Sequence, residues 1–205
     1  MLEDSFMRNT MIAAAALAGL TAVPNVGQAE GYSYGNAFLV TAGVSVPASV
    51  RDYGKDADPK FSIPINVTGP IHKRLGWIAS YSFNRLKPAG GDLADCQEAG
   101  TCVDITVHHF GAGPMVTMDL GKTHLYVGIE AGADSVGPYE RGGERNTYLS
   151  ISPAAALAIP IASSPWSAVV QFYSDTFRAL EDDGSHKWKT YLTPSVAVGY
   201  SFGRK

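Results

Sequence analysis

Beyond residue 23 the chain lacks any apolar run long enough to cross a membrane as a helix. Such a helix needs about 20 consecutive apolar residues, and no later segment approaches that length. Clustered positive charge is also missing, because the net charge is −3 and the longest basic run is residues 72–74. These absences exclude a helical membrane protein and argue against nucleic acid as a partner.

The N-terminal segment has the parts of a secretory signal peptide. Arg8 supplies positive charge, residues 10–23 form an apolar stretch, and residues 27–29 end in a small residue suited to signal peptidase. The apolar stretch of about 14 residues is shorter than the ~20 that a transmembrane anchor needs. We therefore predict a signal peptide over residues 1–29 and a single mature domain over residues 30–205.

Cysteine is scarce. The only two cysteines, Cys96 and Cys102, lie in a segment rich in glycine, aspartate and alanine. In an exported protein this spacing predicts a local disulfide that pins a hairpin loop. A metal site is the alternative, but the loop has no histidine to complete it. We expect a structural disulfide, no metal and no cofactor.

What the sequence does have is alternation of apolar and polar residues, which runs furthest between Trp188 and Phe202. One face of this segment is mostly apolar and the other is polar or small. A soluble strand usually spans about four to eight residues, whereas a strand that crosses a bilayer at a tilt needs roughly 9–11. The alternation recurs at residues 36–46, 61–71, 77–84, 103–114, 125–131, 149–159 and 166–175.

The connections between these segments alternate in length. Short turns lie at residues 71–76, 119–122 and 161–165, and long polar loops lie at residues 48–59, 87–101, 136–145 and 178–187. Outer-membrane barrels have short periplasmic turns and longer extracellular loops. The sequence therefore predicts an all-β fold, an eight-stranded antiparallel up-and-down transmembrane β-barrel with both termini periplasmic. Aromatic residues near the segment ends, among them Trp77, Trp166, Tyr148 and Trp188, predict two interfacial girdles.

Together these features resemble the small OmpA/OmpX-type outer-membrane barrels, including the opacity-protein-like family, over roughly residues 35–202. The resemblance implies a bacterial outer-membrane location, with lipids and lipopolysaccharide around a monomeric barrel. It also implies that the barrel-assembly machinery reads the aromatic end of the last strand during insertion. Tyr200 and Phe202 would form this assembly signal, although three residues follow Phe202 and Ala197 stands where the family often has glycine.

An eight-stranded barrel is just wide enough for its own side chains to fill. The alternation directs His108, Glu130, Asp175 and Lys189 inward as a candidate polar cluster of the lumen. Because buried charges must be paired, we predict a mutually satisfied polar core in which Glu130 and Lys189 form a plug. A narrow water-filled pore is the alternative.

The phase of the segment 103–114 is less clear than that of the others. Its first half predicts Ile105 and Val107 on the outward face and His108 on the inward face. The alternation then blurs through Gly111 and Gly113, which suggests a β-bulge.

Three functions are compatible with this sequence. The first is a structural or surface-interaction role, adhesin-like, in which the four extracellular loops bind a surface ligand. The second is a lipid A-modifying acyl hydrolase or transferase, since His108, His109 and Glu130 supply two of the three required roles. No serine lies two residues from either histidine, so we expect no enzyme. The third is a soluble lipocalin-type barrel, with the apolar faces turned inward around a ligand.

Overall fold

The computed structural model describes residues 38–45, 48–51, 57–72, 74–88, 94–138, 140–180 and 186–202. The predicted signal peptide and its cleavage site lie outside these residues. Within them, no helix is long and apolar enough to cross a membrane.

The described chain forms one antiparallel sheet that closes on itself as a barrel. Its elements are β1 (Phe38–Ser45), β2 (Ala48–Arg51), β3 (Ala57–His72), β4 (Leu75–Pro88), α1 (Ala94–Ala99), β5 (Ile105–Leu120), β6 (Thr123–Val136), β7 (Asn146–Pro160), β8 (Trp166–Leu180) and β9 (His186–Phe202). β1 pairs with both β3 and β9, and β2 continues the pairing with β9. The two short strands share one position, so the ring has eight positions in up-and-down order.

The alternation of the sequence becomes an apolar exterior and a polar interior. On β3, Phe61, Ile63 and Ile65 face outward and are 37–40% exposed, whereas Ser62 and Asn66 are buried. The same division holds on β9, where Val196 and Val198 are exposed, whereas Thr193 and Ser195 are buried. An apolar outside is what a bilayer requires of a spanning barrel. The lipocalin-type alternative, with the apolar faces inward, is therefore wrong.

The predicted alternation of short and long connections is confirmed for the middle of the chain but not for the last pair, because the β7–β8 and β8–β9 connections each have five residues. β5 and β6 are joined by two residues, of which Gly121 has a φ of +71°, a backbone angle that glycine adopts readily. The β3–β4 and β7–β8 connections lie at the same rim, which we call the turn rim. The remaining connections lie at the opposite rim, the loop rim. The β4–β5 connection, which contains α1, and the β6–β7 connection are long, whereas the predicted loop at residues 178–187 is shortened because β8 continues to Leu180 and β9 begins at His186.

The interior contains two apolar layers. The layer nearer the turn rim consists of Leu39, Ile78, Met115, Tyr126, Ala154, Ala158, Val169 and Tyr173. The layer nearer the loop rim consists of Leu86, Ile105, Val107, Phe177 and Tyr191. Polar side chains, almost all buried, fill the space between these layers.

β5 differs from its prediction in phase. Ile105 and Val107 are buried in the loop-rim layer, and His109 is also buried, whereas Phe110 is 57% exposed on the outside. The expected bulge is wrong as well, because β5 keeps one register against β4 and against β6 along its whole length. The inward face of β5 is apolar near the loop rim. The rule that apolar residues face outward therefore assigned the two faces of β5 the wrong way round.

Tyr148 also departs from its predicted place. It stacks on the buried ring of Phe177, with ring centroids 5.5 Å apart, and so belongs to the interior rather than to an aromatic girdle.

Candidate functional site

Four ionisable side chains meet in the lumen between the two apolar layers. His109 comes from β5, Glu130 and Asp134 from β6, and Asp175 from β8. Each of these side chains is at most 2% exposed. We call this group the acid cluster, since it combines three carboxyl groups with a single histidine.

The histidine stands at the centre of the acid cluster. Its Nδ1 lies 3.1 Å from Asp134 Oδ1 and 3.6 Å from Asp175 Oδ1, and its Nε2 lies 4.0 Å from Glu130 Oε2. One imidazole therefore faces all three carboxyl groups. Gly111, next on the same face of β5, makes room for this arrangement: a Cβ there would lie 2.6 Å from Glu130 Oε2.

Neutral groups supply further hydrogen bonds to the acid cluster. The hydroxyl of Ser80 donates to Glu130, and that of Ser152 donates to Asp175. The phenol of Tyr191 donates to Asp134 Oδ1 over 3.2 Å. Because a buried carboxyl group is costly without partners, these donors and the histidine together make the cluster tolerable inside the barrel.

An amide network crosses the lumen on the turn-rim side of the cluster. The side-chain nitrogen of Asn66 donates to Thr41 Oγ1 at 3.1 Å and to Gln171 Oε1 at 2.9 Å. These residues come from β1, β3 and β8, so the hydrogen bonds tie together parts of the wall that are not all neighbours. The lumen at this level is occupied by side chains.

Little space is left between these layers. A cavity of about 20 Å³ lies beside Leu39, Ile78 and Tyr126, and another of about 10 Å³ lies beside His109 and Asp175. A single water needs roughly 10–15 Å³. Each of these two cavities can hold about one water molecule, so neither is wide enough for a continuous column of water at its level.

The structure distributes the predicted lumen residues unequally. Glu130 and Asp175 lie in the acid cluster, and Lys189 lies on the inward face nearer the loop rim, paired with Phe177. His108 instead faces outward, where its Nδ1 is 3.0 Å from the hydroxyl of Tyr81. The prediction that His108 enters the lumen is corrected: the inverted phase of β5 gives that place to His109.

The predicted lumen cluster lacked two members of this site: Asp134, and His109, which the sequence offered only for a catalytic role. Asp134 lies beyond the predicted end of its strand at residue 131, because β6 continues to Val136. Phe110 could have indicated the direction of His109. A large aromatic residue is expected on the outer face, and neighbouring residues of a strand point to opposite faces, so His109 points inward.

Tyr200 and Phe202 lie at the turn rim on the outer face. The Tyr200 ring is 4.8 Å from that of Trp166 and 4.6 Å from that of Phe202. These contacts form a small group of aromatic rings at the level where a bilayer interface favours amphipathic rings.

At the loop rim, two long connections are joined to each other. The predicted disulfide links Cys96 to Cys102, with Cα atoms 5.0 Å apart. Cys102 also forms a β-bridge with Glu140 of the β6–β7 connection, and the amide of Arg141 donates to the carbonyl of Thr101 over 3.2 Å. The disulfide-closed loop and its neighbour therefore form one connected surface.

A second charged group lies on the outer wall near the loop rim. Asp104 accepts hydrogen bonds from Lys60 Nζ at 2.8 Å and from Arg85 Nε at 2.7 Å. The Lys60 hydrogen bond is the largest of the effects that lower the pKa of Asp104 below its usual value. The two cations remain 41% and 46% exposed.

No protein-family model matches the sequence, and no curated protein matches it. Solved structures do resemble it. Neisserial surface protein A has a TM-score of 0.57 at 16% identity, and the match covers 82% of this chain and 99% of that one. OprG of Pseudomonas aeruginosa has a TM-score of 0.52 at 11% identity, with 82% and 96% covered.

A third similar structure is Ail, the attachment invasion locus protein of Yersinia pestis, solved in complex with the heparin analogue sucrose octasulfate. Its TM-score is 0.50 at 13% identity, and the match covers 81% of this chain and 98% of that one. At these identities the likeness concerns the fold. The chain has the fold of the small eight-stranded outer-membrane β-barrels, which confirms the predicted architecture.

Proposed function

We propose that this chain is a non-conducting outer-membrane barrel of a Gram-negative-type bacterium that acts at the cell surface through its loops. The observation that carries the proposal is the filled lumen. Two apolar layers, the acid cluster and the amide network occupy successive levels of the barrel, so the loops are the part of the molecule that a ligand can reach. In barrels of this size the lumen is commonly filled by side chains.

The proposed orientation has the turn rim in the periplasm and the loop rim outside the cell. Short connections on one side and the long β4–β5 and β6–β7 connections on the other support it, because outer-membrane barrels share this asymmetry. The proposal includes a signal peptide over residues 1–29, a monomeric barrel surrounded by outer-membrane lipids and lipopolysaccharide, and insertion by the barrel-assembly machinery.

The role of Tyr200 and Phe202 as an assembly signal belongs to the same proposal. Their side chains lie exposed or half-buried on the outer face of the last strand, where an insertion factor could contact them. Phe202→Ala should lower the rate of insertion in the presence of purified assembly machinery. It should leave spontaneous folding into detergent nearly unchanged, and an equal loss in both assays would contradict a signalling role.

Conductance measurements test the filled lumen. The purified barrel in a planar lipid bilayer should show no steady channel steps, while a general porin handled in the same way does. Steady single-channel conductance of the wild-type barrel would favour the narrow pore and overturn the proposal.

The loop surface is the proposed site of ligand binding. The exposed side chains of Glu98, Arg141 and Glu144 give the described part of this surface charges of both signs. Ail, a protein of the same fold, has been solved with a sulfated sugar, which supports ligand binding by barrels of this shape.

Adherence of cells tests this part of the proposal. Cells of a heterologous host that display the wild-type barrel should adhere to cultured epithelial cells. A variant in which residues 94–102 and 138–145 are replaced by Gly-Ser linkers of equal length should not. Equal adherence at equal surface amounts would contradict a loop-mediated role.

The lipid A-modifying alternative makes a different prediction. His108 lies on the outer wall against Tyr81, and His109 has its Nδ1 on Asp134 while its Nε2 faces Glu130 rather than a serine hydroxyl, so the described structure does not complete a serine–histidine pair. Overexpression should therefore leave the acylation of lipid A unchanged by mass spectrometry. A change that disappears in His108→Ala or His109→Ala would establish the enzyme instead.

A further inference from the structure

Cationic side chains gather on one side of the outer wall, at the loop-rim ends of β3, β4 and β5. Lys60 and Arg85 both bond to Asp104, and each remains close to half exposed. Arg85 pairs across the sheet with Thr106. The hydroxyl of Thr106 accepts a hydrogen bond from Arg145 Nη2 at 2.7 Å.

Arg145 is held in place by a second contact, since its Nη1 donates to the carbonyl oxygen of Ser135 at 2.9 Å. Two guanidinium groups therefore flank one threonine, with an ammonium group beside the first of them. We call Lys60, Arg85 and Arg145 the cationic edge. With Asp104 included, three positive charges face one negative charge on an exposed part of the wall.

An aromatic row lies on the same outer face, next to the cationic edge on its turn-rim side. The rings of Phe61 and Phe83 are 5.8 Å apart, Phe83 is 5.2 Å from His108, and Tyr81 is 4.9 Å from Phe110. Aromatic belts of membrane proteins mark the level of the lipid headgroups. The aromatic row therefore marks the border between headgroups and acyl chains. The cationic edge stands just above this row, at the height of the headgroups.

We propose that the cationic edge binds the phosphate headgroup of an anionic lipid, one with no cation of its own on the headgroup, in the surrounding leaflet. Guanidinium groups present paired N–H donors that match phosphate oxygens. The net positive charge attracts the headgroup, and the aromatic row contacts the acyl chains of the same molecule. A free phosphate anion shares the headgroup chemistry but gains nothing from the aromatic row, so the occupant is a lipid.

This inference rests on the proposed membrane location but not on loop-mediated adherence or on a closed lumen. The test is lipid retention by the full barrel, reconstituted with equal parts of phosphatidylcholine and phosphatidic acid and released for native mass spectrometry. The wild type should retain phosphatidic acid in preference to phosphatidylcholine. Arg85→Gln and Lys60→Gln should each lower that retention about fivefold, which corresponds to the roughly 1 kcal/mol contributed by one cation near an anionic membrane surface.

Two variants sharpen the test. Arg178→Gln is the matched control, because Arg178 is an exposed cation on the outer face of β8, paired with Trp188 and away from the edge. It should leave retention unchanged. Asp104→Asn removes the one negative charge of the site and should raise the retention of phosphatidic acid. If Asp104 only held Lys60 and Arg85 in place, its loss would disorder the two cations and lower that retention.

Four results would overturn the proposal: no preference for phosphatidic acid, an equal loss in Arg178→Gln, a loss in Asp104→Asn, or retention of inorganic phosphate as strong as that of phosphatidic acid, which would mean that the acyl chains contribute nothing. Folding of every variant is verified by heat-modifiable migration on cold detergent gels. The adherence and conductance assays do not depend on these lipid variants, so failure here is distinguishable from failure of the proposed function.

Discussion

The acid cluster and the cationic edge are both groups of ionisable side chains, but they lie in opposite surroundings. In the acid cluster each ionisable group is at most 2% exposed, whereas Lys60 and Arg85 at the cationic edge are 41% and 46% exposed. Water can freely solvate a charge at the edge when its partner is removed, whereas the cavity beside His109 and Asp175 has room for about one water molecule. The comparison teaches that contacts of similar length differ several-fold in what they contribute to stability.

The largest effect is expected from His109→Ala. This change leaves three carboxyl groups close together without the histidine that faces them all. Removing one partner from a buried charged group typically costs about 3–5 kcal/mol. We expect a loss of that size in the free energy of unfolding, measured by urea titration in lipid vesicles.

His108→Ala is the matched control for this prediction. It removes the same ring from the adjacent position, but from the outer face, where the ring meets Tyr81 rather than carboxyl groups. We expect a loss below about 1 kcal/mol, the usual size for a partly exposed contact. Equal losses in the two variants would refute the assignment of His109 to the interior.

A somewhat smaller effect is expected from Phe177→Ala in the loop-rim layer. Phe177 is fully buried and packs against Tyr148 and Tyr191. Deleting a buried aromatic ring leaves a cavity and costs about 3 kcal/mol or more. Phe172→Ala on the same strand is the control, because that ring is 50% exposed on the outer wall. If the outward variant lost as much stability under urea, the layered interior described above would be wrong.

The alternation of the sequence predicted most of these environments correctly, for a physical reason. A spanning strand must be apolar toward lipid and can be polar toward the lumen, so the apolar face identifies the outside of β3, β6, β8 and β9. β5 broke the rule because Ile105 and Val107 serve the interior layer. Gly111 and Gly113, which follow, have no side chain to signal their direction.

The acid cluster itself was only partly predictable. Periodicity places Glu130 and Asp175 on inward faces, but it does not determine their height in the barrel. The meeting of Glu130, Asp175 and His109 depends on the register of three successive strand pairs, from β5 to β8. The expected partner Lys189 lies nearer the loop rim, at the level of Phe177, because Asp175 pairs with Tyr191.

A more local effect is expected at the disulfide. Replacing Cys96 and Cys102 together by serine releases a short closed loop, for which chain entropy alone predicts a loss of about 2 kcal/mol. That loss concerns the loop and its bridge to Glu140 rather than the strand pairing. Limited proteolysis should therefore cut the variant faster within residues 89–104 while urea unfolding of the barrel is unchanged. Unchanged cleavage would mean that the loop is ordered without the disulfide.

The smallest effect belongs to Asp104 at the cationic edge. Hydrogen bonds from Lys60 and Arg85, together with their charges, lower the pKa of this carboxyl below its usual 3.8, against an opposing effect of burial. A carboxyl group with a lowered folded-state pKa stabilises the fold above its unfolded pKa. This contribution is lost as the pH falls through the folded-state value. Because both cations are close to half exposed, we expect a contribution below about 1 kcal/mol at neutral pH.

Comparing the wild type with Asp104→Asn over pH tests this sign. The unfolding free energies should differ slightly near neutral pH and converge in acid, where the wild-type carboxyl is protonated and resembles the amide. A difference that persists in acid would come from packing rather than from charge. A difference of several kcal/mol at neutral pH would mean that Asp104 is as enclosed as the acid cluster, and the contrast between the two charged groups would then fail.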